Sequence, residues 1–163
     1  MLSLFFVVVQ ARAYTLTKIP ATHAPPPAMI SPSAVYDSKT NSIFSIGGHQ
    51  ILNDKQIREI FAFDLNTQLW KLINFDSVFS PPFLHLHSSY IRKDRKILNF
   101  GLYTEVLIFD LEIEEWSKTV LKGDRMKSNT AFGSAGFIHN ETEYFVMYGG
   151  INEDGYIGDL YLY

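Results

Sequence analysis

The chain has no cysteine among its 163 residues. That removes thiolate nucleophiles, cysteine-ligated zinc or iron–sulfur centres, and any disulfide framework. Charge is also scarce. Asp, Glu, Lys and Arg make up 19 % of the chain, the formal net charge is −3, and no long basic run occurs. A surface able to neutralise nucleic-acid phosphates is missing, so nucleic acid is not expected as a partner. No stretch sustains an apolar period of 3.6, so helices should be few. No apolar run reaches the ~20 residues that a transmembrane helix needs, and no transmembrane segment is expected. A Gly-rich phosphate loop, a Gly-x-Ser-x-Gly elbow and a His-Glu-x-x-His motif are all absent, so neither catalytic residues nor a cofactor are expected.

What is present points to strands. Hydrophobic residues are 47 % of the chain and aromatic residues 15 %, with 13 Phe and 9 Tyr. This composition favours a folded, strand-rich domain. At the start, Leu2 to Val9 is an apolar run followed by Ala11-Arg12-Ala13, a small-x-small cleavage pattern. Residues 1–13 therefore read as a short secretory signal, which would make the protein secreted or lumenal. A buried strand is the alternative, and it would leave the protein cytoplasmic. Asn140-Glu141-Thr142 is a glycosylation sequon in an expected hairpin turn.

A repeat organises the rest. Phe63-Asp64-Leu65 leads to Trp70, and Phe109-Asp110-Leu111 leads to Trp116. In both copies Asp precedes Trp by six residues, and the copies lie 46 residues apart. An apolar strand precedes each, and a third copy of that strand, Gly158 to Tyr163, is also present. Upstream, Ile43-Phe44-Ser45-Ile46-Gly47-Gly48 matches Phe145-Val146-Met147-Tyr148-Gly149-Gly150, with Ile97 to Gly101 as a weaker copy in which Leu102 replaces the second Gly. Small-residue strands around Val35, Ile91 and Phe137 come before these, and Ile91 and Phe137 each lie 21 residues after a Trp.

The combination of Gly-Gly, Asp and Trp at consistent spacing resembles the kelch repeat. The resemblance runs from about Tyr14 to Tyr163 and implies an all-β fold of four-stranded antiparallel propeller blades. The units are about 33–74, 87–120 and 131–163, with a further strand at 14–19. Within them Gly47, Gly48, Gly101, Gly149 and Gly150 serve the backbone, Asp64 and Asp110 the turns, and Trp70 and Trp116 the packing between blades. Propellers close with 4–8 blades. About three blades imply either a portion of a longer propeller or self-association of two copies to complete a ring.

Kelch proteins bind partners along the loop rim formed by the second-to-third-strand and fourth-to-first-strand connections. Here those are His49 to Arg58, Tyr103-Thr104 and Ile151 to Tyr156, together with Pro20 to Pro32, Phe75 to Leu86 and Leu121 to Phe132. Expected contacts to a protein partner are His49, Asp54, Lys55, Arg58, Phe79, Phe83, Arg125, Asp154 and Tyr156. Ordinary loop chemistry accounts for the same residues. His85 and His87 would share a strand face, but no third metal ligand is fixed by the sequence, and no metal is expected. Two other functions stay open. The chain could be an incomplete portion of a propeller enzyme, an oxidase or metal-assisted lyase with its catalytic residues in missing blades, or a fragment without function. Galactose oxidase, which shares such blades, uses a Cys-linked Tyr that this chain cannot supply.

Overall fold

The computed structural model describes residues 18–19, 23–74, 88–100, 105–123 and 131–163, and only the backbone of 88–91. The described residues form antiparallel sheets with a single short 3-10 turn and no α-helix. Sheet 1 contains β1 (Ser33–Asp37), β2 (Ser42–Gln50), β3 (Lys55–Asp64) and β4 (Leu69–Ile73), in that order. Sheet 2 repeats the pattern with β5 (Ser88–Ile91), β6 (Lys96–Phe100), β7 (Glu105–Asp110) and β8 (Glu115–Val120). Sheet 3 has β9 (Gly133–His139), β10 (Thr142–Tyr148) and β13 (Leu160–Leu162), and the hairpin β11 (Ile151–Asn152) and β12 (Gly155–Tyr156) lies between β10 and β13. The expected signal (1–13) and most of the strand at 14–19 lie outside the described residues; Lys18 and Ile19 carry no strand.

Register shows that the three sheets are copies. Ile46 pairs with Ile60 and Phe44 with Ala62 in sheet 1. Leu98 pairs with Ile108 in sheet 2, while Tyr148 pairs with Leu160 and Val146 with Leu162 in sheet 3. Because side chains alternate between faces, each sheet has a front carrying these residues and a back carrying their neighbours. The front of sheet 1 (Phe44, Ile46, Ile60) packs on the back of sheet 2 (Ile97, Phe109, Trp116) in one core. The front of sheet 2 (Leu98, Phe100, Val106) packs on Phe145 and Met147 of sheet 3 in a second. Burial follows from this stacking. The middle strand β6 is buried on both faces, whereas every residue of β9 is exposed.

One expected interval does not hold. Val35 pairs with Phe44, but the residues facing the equivalent Leu98 and Val146 are Tyr90 and Ala135. The first hairpin turn differs in length among the sheets, so a constant 21-residue step cannot survive. In sheet 3 the turn is the two residues Asn140 and Glu141, with φ of 46° and 64°, a type I′ geometry suited to a tight hairpin.

The Gly pairs sit differently in the two sheets: β10 ends at Tyr148, just before Gly149 and Gly150, whereas the pair in sheet 1 lies within its strand. In sheet 1, β2 runs on through Gly47 and Gly48 to Gln50, with the register shifting between Ile46 and Gly48. This is a β-bulge, which takes residues with positive φ. Gly47 and Gly48 have φ of 62° and 121°, and Gly149 and Gly150 repeat this with 71° and 106°. A Cβ at Gly48 would lie 2.7 Å from Met29 Sδ and 3.2 Å from the Ile30 carbonyl oxygen. Gly48→Ala is therefore expected to lower unfolding free energy by about 2 kcal/mol through strain and overlap. Gly149→Ala, whose nearest neighbour is 3.5 Å away, is expected to cost about half as much. Urea midpoints of the two variants test the order.

Polar contacts join the first-hairpin turns of successive sheets. Arg95, in the left-handed region at φ 61°, donates from Nη2 to Asp37 Oδ2 at 3.1 Å, with the Asp37 side chain only 5 % exposed. On the other side, the Lys93 backbone N–H donates to Glu143 Oε1 at 2.7 Å. Burial alone would raise the Asp37 pKa, but the Thr40 hydroxyl, the Lys39 N–H and the Arg95 guanidinium outweigh it and hold the carboxyl below its usual range. A depressed folded pKa gives stability that is present above the unfolded value, near 3.9, and is lost as pH falls through the folded one. Asp37→Asn is expected to cost about 3 kcal/mol at neutral pH, as breaking a buried pair does. It should also flatten the acid limb of the stability–pH curve below about pH 4. Chemical denaturation from pH 2 to 7 checks both.

Candidate functional site: the hairpin rim

In sheets 1 and 3 the second-to-third-strand connections, expected as loops, carry short hairpin ladders. In sheet 1 the ladder continues past the bulge with Gly48 opposite Ile57, His49 opposite Gln56 and Gln50 opposite Lys55. A 3-10 turn, Ile51–Asn53, closes the tip. In sheet 3 the Ile157 N–H donates to the Gly150 carbonyl at 3.0 Å, and Ile151 then pairs with Tyr156 and Asn152 with Gly155. The two hairpins are the same device with turns of different length. A ladder fixes direction better than a loop does, so their tips are rigidly presented.

Six of the nine expected rim residues sit on these hairpins. His49, Asp54, Lys55 and Arg58 belong to the sheet 1 hairpin, and Asp154 and Tyr156 to the sheet 3 hairpin. Phe79, Phe83 and Arg125, with Gly101 and the His85/His87 pair, lie outside the described residues. His49 Nε2 meets Asp54 Oδ1 at 2.9 Å across the hairpin, which ties its ends together. The Asp154 N–H donates to Asn152 Oδ1 at 2.9 Å and closes the turn beside Tyr156. Lys55 and Arg58 are exposed.

Sequence reasoning placed Tyr156 at the rim but missed the apolar pair Ile51-Leu52 at the sheet 1 tip. Ile51 is 65 % exposed, Leu52 fully exposed and Tyr156 94 % exposed. The signal was the pair Ile51-Leu52 set within a polar run, an uneconomical choice for a turn unless something covers it. Beside the tip, the Ile30 N–H donates to the His49 carbonyl at 2.9 Å and the His49 N–H to the Ile30 carbonyl at 3.0 Å. This seats residues 28–30 against the hairpin and leaves a cleft of about 370 Å³ lined by Met29, Ile30, Gln50, Ile51 and Leu52. The cleft is mostly apolar, with His49, Gln50 and Asn53 as its polar lining, so it is suited to taking side chains from another molecule.

The Asp and Trp residues of the repeat serve turns and packing instead. Asp64 Oδ1 accepts the backbone N–H groups of Asn66 and Thr67 at 2.7 and 3.1 Å, and Asp110 Oδ1 accepts that of Glu112 at 2.9 Å. Phe63 and Trp70 lie 5.0 Å apart at 48°, and Phe109 and Trp116 5.1 Å apart at 52°. Among the described residues no group of three or more His, Asp or Glu side chains could hold a metal ion. Among them, too, no helix is long and apolar enough to cross a membrane. No protein-family model matches the chain.

Proposed function

We propose that the chain is a kelch-type set of propeller blades that acts as a non-enzymatic scaffold, binding another protein through its hairpin rim. The propeller part of this reading is supported by the repeated register, the front-to-back contact made twice, and the approach of β1 to β5 and of β5 to β9. Three sheets with their first strands side by side are what a radial array requires.

The observation that carries the binding part is the placement of Leu52 and Tyr156. Both are bare apolar side chains on equivalent, ladder-held hairpins of different sheets. Exposed Leu and Tyr on hairpins that also carry Lys55, Arg58 and Asp154 have the residue make-up of an interface centre with a polar rim.

Site-specific photo-crosslinking in source-cell extract tests this. A crosslinker replacing Leu52 or Tyr156 should yield one discrete protein adduct, at least tenfold stronger than one replacing Lys39 on the opposite rim. Leu52→Asp should abolish the adduct formed from the Tyr156 position. Equal labelling from all three positions would overturn the proposal.

A further inference from the structure

Among the described residues nothing packs on the front of sheet 3, which is an apolar face. Tyr148, Leu160 and Leu162 are 60 %, 67 % and 62 % exposed, and Phe137 stacks on Tyr144 beside them at 5.3 Å. Tyr148 and Leu160 occupy the positions of Ile46 and Ile60 in sheet 1, which are covered completely by the back of sheet 2. The complementary surface is the back of sheet 1, where Ile43, Phe63 and Trp70 stand as Ile97, Phe109 and Trp116 do in sheet 2.

That back is covered by a strap rather than by a sheet. Ile19, Pro25 and Pro26 line, with Ile43, Phe63 and Trp70, an open and largely apolar cleft of about 360 Å³. A gap of that size forfeits the dispersion contacts that a fitted sheet would make. The described part of the strap joins sheet 1 only by single bridges, His23 to Trp70 and Ile30 to His49. The two unfinished surfaces are therefore the two halves of a contact already made twice within the chain.

We infer that two copies associate, the front of sheet 3 of each seating on the back of sheet 1 of the other, with the strap around Ile19 yielding its place. The occupant is a second copy because the front-to-back contact is continuous with the two internal ones, and sheet 1 carries the matching back. Two such contacts close a two-fold assembly of six sheets, within the range that propellers adopt. The inference rests on the propeller reading.

Sedimentation equilibrium of the full chain tests it. The expected species has twice the 18.6 kDa chain mass. Leu162→Asp and Trp70→Asp should each raise the dimer dissociation constant at least tenfold. Mixed in equal amounts they should associate more tightly than either alone, since one intact interface remains. Ile19→Ser should loosen the strap and strengthen the dimer, a gain that misfolding cannot imitate. A monomer at every concentration would overturn the inference, as would a dimer indifferent to Trp70→Asp or growth beyond two copies. The propeller reading fails separately, by loss of the contact between Phe100 and Phe145, so a monomer that keeps that contact condemns only the dimer.

Discussion

Trp116→Ala is expected to lower unfolding free energy by about 4 kcal/mol, and Trp70→Ala by about 1–2 kcal/mol, although the two residues hold the same place in the repeat. Trp116 is only 4 % exposed and belongs to the core between sheets 1 and 2, with Phe44, Ile46 and Ile60 opposite. Removing its ring deletes contacts on both sides and leaves a void between two sheets that cannot close over it. Trp70 makes the same tilted contact with its own Phe, but it is half-buried and its far side meets Pro25, Pro26 and an open space. Less is lost, and the strap can settle into the gap. Equilibrium urea denaturation measures both. Equal losses would mean that the back of sheet 1 is packed as tightly as that of sheet 2.

The second large effect lies at the other inter-sheet core. Phe100 and Phe145 are 2 % and 1 % exposed, stacked at 4.2 Å and 12°, with Tyr163 edge-on to Phe100 at 5.6 Å. Phe100→Ala is expected to cost about 3–5 kcal/mol, against about 1 kcal/mol for the better-filling Phe100→Leu. The double variant Phe100→Ala/Phe145→Ala should cost about 1 kcal/mol less than the two single losses together, because each first cut already forfeits the stacking. Among the described residues the front of sheet 3 is exposed, and this core is the main apolar contact that holds the sheet, with the Lys93–Glu143 bond beside it. Amide exchange in Phe100→Ala should therefore quicken first in β9, β10 and β13 while sheet 1 stays protected. Uniform quickening would contradict the division into stacked sheets.

Much of this was legible in the sequence, and the reason is local. Strand faces follow from alternation, so Ile43 to Ile46 and Phe145 to Tyr148 announce the same two-sided strand. The Asp-to-Trp spacing announces the same turn and aromatic pair. Three features were not legible. The hairpins beyond the Gly pairs look like polar loops, because HQILND carries turn residues, and only the bulge reveals that the ladder resumes. The Asp37–Arg95 pair depends on how far apart two sheets stand, which no local pattern encodes. Arg95 occupies the position of Asn41, since Leu65 donates to the Asn41 carbonyl as Leu111 does to that of Arg95. Asn41 stays within its own sheet, bonding Asn66 and Tyr36, whereas the longer guanidinium reaches the sheet before. The tip pair Ile51-Leu52 was not legible because aliphatic residues within a polar run read equally well as strand residues turned inward, and only the fold shows that they face out.

The central claim is that successive sheets stack front to back, and the contact between the Phe100 and Phe145 rings reports it most directly. In a sample with selectively labelled phenylalanine, a nuclear Overhauser measurement should show strong cross-peaks between the two rings at their 4.2 Å separation. They are far apart in sequence and lie on different sheets, so no local structure can produce that signal. Its presence, lost in Phe145→Ala, is the expected result. Its absence in a protein that otherwise keeps the strand register of β6 and β10 would mean that the sheets form but do not stack, contradicting the account.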